Sequence, residues 1–184
     1  MSATADEARL VARSARGDRE AFGALVRTYQ TVAVRLAAYL AGRDSAEDVV
    51  QEAFVKAFRR LDGFDPGRPF RPWLLAIVAN EARDDRRRGL RRDQLVLRAA
   101  APRSNPPEDP AELALAALGA GRLAEAIAAL EPSARTAVVL RHVLDLSEEE
   151  TATVLGVPAG TVKSRTSRAL ARLREQLERE VAAT

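Results

Sequence analysis

The sequence predicts an all-α protein built as two small helical domains joined by a flexible linker. Three observations carry this reading. Apolar residues recur every three or four positions through most of the 184 residues, and no alternating strand pattern appears. The stretch 99–110 holds four prolines and no apolar period, so it interrupts the helices as a tether. Beyond it, the run from Leu146 to Leu170 has the layout of a helix-turn-helix.

Taken in order, the first predicted helix runs from Asp18 to about Ala41, with Phe22, Leu25, Val26, Tyr29, Val32, Ala33, Leu36 and Leu40 on its apolar face, and Gly42 closes it. Asp44 and Ser45 each precede an acid by three residues, which predicts the start of a second helix. Its stripe is Val49, Val50, Ala53, Phe54, Ala57, Phe58 and Leu61. The loop from Phe64 to Arg71 carries Pro66, Gly67 and Pro69, and Pro72 can open a third helix with Trp73, Leu74, Ile77 and Val78 inward. These three helices predict a small bundle over residues 8–90. A linker covers 91–122, with a short Ala/Leu-rich helix from Ala111 to Leu118 inside it. The second domain covers 123–179, with a helix from Ser133 to Leu144 ahead of the helix-turn-helix.

Composition narrows the functional classes. The chain has no cysteine, which removes disulfides and thiolate metal sites and favours a reducing compartment. A single histidine, His142, cannot anchor a metal constellation and is given no role. No apolar stretch approaches the roughly 20 residues of a membrane span, and Asp6 and Glu7 come early where a signal peptide needs basic and apolar blocks. The expectation is a cytoplasmic protein without membrane insertion, and the closing residues predict no fused C-terminal regulatory domain. Neither a P-loop, a dinucleotide fingerprint nor a set of nucleophile, base and orienter appears, so no enzyme and no cofactor is expected.

The net charge of +3 is small, and its distribution says more. Arg83 to Arg92 holds six arginines, and Lys163 to Arg174 forms a second basic block. In the helix-turn-helix, Ser147 and Glu150 have capping-box spacing, Gly156 closes the first helix, and Pro158 leads into the second. That second helix then presents Thr161, Lys163, Ser164, Arg165 and Arg168. Hydroxyls and long cations of this kind reach phosphates and base edges in a major groove. On the second helix, Asp48, Gln51, Glu52 and Val55 form an outward strip at helical spacing, opposite the Phe54/Phe58 stripe. Taken alone, they make an ordinary charged surface. Asn80, Arg83 and Arg87 share one side of the third helix and, on the same terms, make a polar exterior.

The motifs in order are similar to those of bacterial extracytoplasmic-function (ECF) sigma factors of the sigma-70 family. Gly17-Asp18 with Ala21-Phe22, the run Ala46 to Phe58, and Trp73-Leu74 with Ile77, Asn80, Asp84 and Arg86-Arg87-Arg88 resemble sigma region 2. Leu130 to Arg135 through Gly160 to Arg165 and on to Leu170 resemble region 4. The resemblance spans roughly Leu10 to Leu177 and implies a dissociable subunit that brings core RNA polymerase to promoter DNA. It implies that Asp48, Gln51, Glu52 and Val55 dock on the clamp helices of the largest polymerase subunit. Arg68 and Phe70 in the loop, with Asn80, Arg83 and Arg87, would capture the non-template strand of the minus-ten element. Lys163, Ser164 and Arg168 would read the minus-thirty-five duplex, with Arg165 on phosphate or packing. Trp73 reads as core. With aromatics at only 4%, the region of strand opening offers Phe64, Phe70 and Trp73, which implies dependence on a well-matched promoter. A regulatory anti-sigma partner is compatible with the family and unspecified by the sequence. The alternative is a stand-alone helix-turn-helix repressor or activator.

Overall fold

The computed structural model describes residues 2–96 and 123–182, and among them every regular element is helical. The N-terminal domain has four helices: α1 (Ser2–Ala15), α2 (Arg19–Ala41), α3 (Arg43–Arg60) and α4 (Phe70–Val96), with a 3-10 turn at Leu61–Gly63. The C-terminal domain has α5 (123–129), α6 (Pro132–Val138), a π-helical turn at Val139–Val143, α7 (Glu148–Leu155) and α8 (Ala159–Ala182).

Local chemistry accounts for the boundaries. Asp18 caps α2, accepting from the backbone N–H groups of Glu20 and Ala21 at 3.0 Å each, while its other oxygen takes the Arg13 guanidinium at 2.7 Å. Those bonds, the Ala21 N–H first and Arg13 next, hold the Asp18 carboxyl below its usual range. Gly42, at φ +103°, turns the chain between α2 and α3. The capping start expected at Asp44 and Ser45 is not used. The helix already begins at Arg43 after Gly42, which has no side chain to cap it.

Two further boundaries differ from the sequence reading. Helix α1, absent from it, packs on α2 through the buried Val11 and a hydrogen bond from the Tyr29 hydroxyl to Glu7. Burial, then that carboxylate, push the Tyr29 hydroxyl's pKa up. Helix α4 starts at Phe70 and continues through Gly89 to Val96, into the span read as linker. One glycine costs about 1 kcal/mol in a helix, and the neighbouring helix formers carry the turn across it. The predicted helix at Ala111–Leu118 lies outside the described residues.

The bundle core is Leu25, Leu36, Leu61, Leu74 and Val78, each at most 1% exposed. In the C-terminal domain, Glu131 caps α6, with Pro132 in its first turn. Arg135, 3% exposed, donates to the carbonyls of Ile127, Ala128 and Leu130 and so terminates α5. The single helix expected over Ser133–Leu144 ends instead as the π turn, whose first two carbonyls, of Val139 and Leu140, accept from the N–H groups of Leu144 and Leu146. The capping box at Ser147 and Glu150 forms in both directions, at 3.1 and 2.8 Å. Gly156 closes α7 at φ +64°.

The two domains touch. Helix α7 packs along α4, and the π turn lies against α2. Arg71 donates to the Leu144 carbonyl at 2.7 Å and Arg35 to the Val143 carbonyl at 3.3 Å.

Candidate nucleic-acid and polymerase interfaces

Helix α8 is held by one apolar edge, with Val162, Ala169 and Leu173 buried against α6 and α7. Lys163, Ser164 and Arg168 lie exposed on the other side, with Thr161 and Arg165 half-buried at the margins. The Ser164 hydroxyl bonds to the Thr161 carbonyl at 3.1 Å, and Arg168 Nε to the Ser164 carbonyl at 3.1 Å. The Arg168 guanidinium is thereby tethered along the exposed edge. Arg165 stands near Glu131, whose carboxyl is held below its usual range by the Ser133 hydroxyl first and by Arg165 last. The five residues thus divide into an outward trio and a marginal pair.

The strip on α3 is exposed throughout, with Val55 at 39%. Its surroundings differ from the sequence reading, which set it opposite the Phe54/Phe58 stripe. Gln51 and Val55 border the same open groove as Phe54 and Phe58, because i, i+3, i+4 and i+7 lie on one helical face. The groove, about 940 Å³, runs between α2 and α3 over Phe22, Val26 and Val50, with Arg19, Arg35 and Arg59 on its rim. Sequence periodicity marks its phenylalanines as core, and nothing in the sequence separates a filled core from an open groove.

The loop and α4 divide the third group. Asn80 and Arg87 are exposed and Arg83 is half-buried; Arg83 donates to Asn80 Oδ1 at 3.0 Å, and Arg87 pairs with Asp84. Burial first, then neighbouring Arg87, lower the Arg83 pKa. Arg68 is exposed in the loop, 3.6 Å from Asp65. Phe70 departs from its expected role. Only 2% exposed, its ring packs on Tyr29, Phe64 and Trp73 at centroid distances of 5.5, 5.7 and 5.5 Å, so it is committed to the interior. The loop folds inward on this aromatic cluster, and Trp73 is half-buried within it.

Beside Asn80, Arg83 and Arg87 lies a polar cleft of about 300 Å³, to which α3 adds Lys56 and Arg60. These two were missed, since Lys56 reads as an ordinary helix cation until α4 lies next to it. Glu81, with a side chain 2% exposed, accepts from Lys56 and from Arg88, the latter at 3.1 Å. Burial alone raises the Glu81 carboxyl, and the two cations outweigh it and hold it below the usual range.

An exposed cationic edge on a helix-turn-helix and a basic cleft on a helical bundle are surfaces of the kind that DNA-binding proteins present, and an open groove lies between α2 and α3. The sigma-70 region 2 model matches residues 25–92, and the sigma-70 region 4 model matches residues 120–173. The RNA polymerase sigma factor CnrH of Cupriavidus metallidurans is 36% identical over 178 residues, covering 92% of this chain and 93% of that protein. The ECF RNA polymerase sigma-E factor of Escherichia coli is 33% identical, covering 94% and 92%. Among solved structures, CnrH in complex with the cytosolic domain of CnrY superposes with a TM-score of 0.72 at 31% identity, over 94% of this chain and 97% of that one. The sigma factor RpoE with the anti-sigma factor NepR from Bartonella quintana gives 0.68 at 29% identity, over 85% and 96%. The chain belongs to the sigma-70 family of transcription initiation factors, in its ECF branch.

Proposed function

We propose that this sigma factor engages core RNA polymerase and promoter DNA through three separate surfaces. The observation that carries the reading is the coincidence of each family motif with a solvent-facing surface of matching chemistry on a distinct element. Asp48, Gln51, Glu52 and Val55 form the polymerase-docking strip, with the α2/α3 groove beside it receiving apolar side chains of the same partner. The cleft of Asn80, Arg83 and Arg87, widened by Lys56, and the loop cation Arg68 take the minus-ten strand, with the cations following its backbone and the cleft holding an extruded base. Phe70 supports the loop from beneath. Lys163, Ser164 and Arg168 read the minus-thirty-five groove, with Thr161 and Arg165 on phosphate or packing.

With α4 continuing to Val96, this division assigns residues 8–96 to polymerase and minus-ten binding and 123–179 to minus-thirty-five binding, with 97–122 as the tether between them. The protein acts in the cytoplasm without a catalytic group, metal or cofactor of its own. CnrH and RpoE were both solved with partner proteins, one a cytosolic domain and the other an anti-sigma factor. We infer that a regulator of that kind acts on this chain.

Transcription from a randomised promoter library with core polymerase plus this chain tests the reading. The expected transcripts share two sequence blocks at fixed spacing and vanish without the chain. Tight operator binding by the chain alone, with no effect on polymerase output, would establish a stand-alone regulator instead.

A further inference from the structure

Glu81 is a buried carboxylate to which the surfaces assigned above give no part. Its side chain is 2% exposed, yet it lines the cleft of about 300 Å³ that holds Asn80, Arg83 and Arg87. At about 100° per residue, Ile77, Glu81, Asp84 and Arg88 fall within a sector of about 60° on α4, and Asn80, Arg83 and Arg87 lie in the adjoining one. Through Glu81 the first set meets Lys56 of α3. The second set forms the rim.

Stability alone does not call for a carboxylate at this place. Burying a charge is costly, and a well-packed apolar residue of similar volume is often at least as stabilising as a buried ion pair. What Glu81 provides is a fixed point between two helices. It accepts from Lys56 on α3 and, at 3.1 Å, from Arg88 two turns further along α4.

The rim cation Arg87 is held differently. It pairs with Asp84 in the open, and such exposed pairs contribute so little that either partner is free to take a phosphate instead. Lys56 is not free in that way, since its departure would withdraw a partner from a buried carboxylate. A phosphate brought to Lys56 would also stand beside Glu81 and near Asp84, whose carboxyl already responds to the Lys56 charge. A neutral acceptor meets no such repulsion. An ammonium has three N–H donors, of which Glu81 engages one. With the Lys56 side chain 38% exposed on the cleft wall, the others are open to that acceptor.

On the minus-ten reading given above, on which this step rests, we propose that Glu81 is a positioning residue that anchors Lys56, so that the ammonium reads a carbonyl oxygen or ring nitrogen of the extruded base while the rim cations Arg60, Arg83 and Arg87 take the phosphates. Without the anchor, Lys56 becomes one more mobile phosphate contact. Base selection then falls while general affinity rises, which loss of a merely structural group would not produce.

Binding of single-stranded minus-ten oligonucleotides to polymerase reconstituted from core enzyme and the full chain, followed by fluorescence anisotropy, tests this. The block recovered from the randomised promoter library is the probe, with each position carrying each of the four bases, at several salt concentrations. Wild type should prefer one base by at least about fivefold at the position lodged in the cleft. Glu81→Gln should lose that preference, bind the other strands at least about twofold more tightly, and steepen the salt slope by about 0.7 as a cation becomes available to phosphate. Lys56→Met, which leaves Glu81 paired with Arg88, should lose preference at the same position with the salt slope unchanged. Should Glu81→Gln lose its helix content by circular dichroism, Lys56→Met carries the test.

A folded Glu81→Gln that weakens all strands alike would overturn the proposal and leave Glu81 a structural support. Base preference intact in Lys56→Met, with a flatter salt slope, would overturn it by placing Lys56 on phosphate. Wild-type polymerase indifferent to base at every position would reject the minus-ten reading itself, an outcome distinct from a wild type that discriminates beside variants that do so equally well.

Discussion

At the scale of single residues, the recognition helix separates base reading from charge neutralisation. Lys163 lies about 160° from Arg165 and about 140° from Arg168, so the three cannot all share one target, while Arg165 and Arg168, about 60° apart, are told apart by their surroundings. Arg168 lies exposed and tethered beside Ser164, whereas Arg165 is drawn toward Glu131. Arg168→Ala is expected to cost about 1–3 kcal/mol on the preferred duplex and to relax selectivity at one or two positions. Arg165→Ala should weaken all duplexes alike and flatten the salt dependence. A promoter-variant panel at two salt concentrations checks both, and an Arg168→Ala loss that is uniform across the panel would contradict the assignment. A second residue tests stability. The Glu81 carboxyl is depressed in the folded state because Lys56 and Arg88 outweigh its burial. Its contribution is therefore present above the unfolded carboxyl value, near 4.5, and is lost as pH falls through the lower folded value. Glu81→Gln should lose about 1–3 kcal/mol at pH 7, the range for a buried group whose partner is withdrawn. Urea unfolding should show that gap closing in acid, and a gap independent of pH would remove the ion pair from the account.

At the scale of elements, surface charge and helix caps make opposite demands. Asp48→Lys with Glu52→Lys should weaken binding to core polymerase while shifting stability by no more than about 0.5 kcal/mol, since both side chains are exposed. Binding assays beside thermal melts decide this, and undiminished affinity would misplace the docking strip. Gly156→Ala should do the reverse locally, costing about 1–2 kcal/mol because φ of +64° forces a Cβ into the left-handed region, although the space around it is open. Loss of duplex binding should then track loss of the C-terminal domain's stability. The elements also show which features local sequence encodes. The capping box at Ser147, the stop at Gly156 and the apolar period of α2 depend on residues a few positions apart, and all three are legible. Helix α1 and the π turn depend on packing against other helices, so they are not, and α4 passes Gly89 because the helix formers around it outweigh one glycine. The site divides in the same way. Exposed cations and the α3 strip follow from helical spacing, whereas the burial of Phe70, the arrival of Lys56 beside Asn80 and the groove next to Val55 require helices α2, α3 and α4 to be set side by side.

At the scale of the whole molecule, reach governs what the two domains do together. The matched region 2 and region 4 segments end and begin at residues 92 and 120, and the prolines at 102, 106, 107 and 110 lie between them. A tether of about 26 residues, between α4 ending at Val96 and α5 starting at 123, spans at most about 90 Å when fully extended. Full extension just covers two elements about 80 Å apart, and at the shorter spans a flexible chain prefers, each domain's own width makes up the difference. The tether is therefore sufficient with little to spare, and its length should matter more than its composition. Deleting about half of it is expected to impair initiation at two-element promoters by at least tenfold while leaving the melting of both domains unchanged. Replacing the same residues by an equally long Gly/Ser segment, which stays flexible, should preserve initiation. Paired transcription and thermal-melt measurements on the two variants separate length from sequence. If the shortened chain initiates as well as the full one, the domains do not span the promoter through this segment, and the minus-ten and minus-thirty-five contacts must be made at closer quarters than the family layout implies.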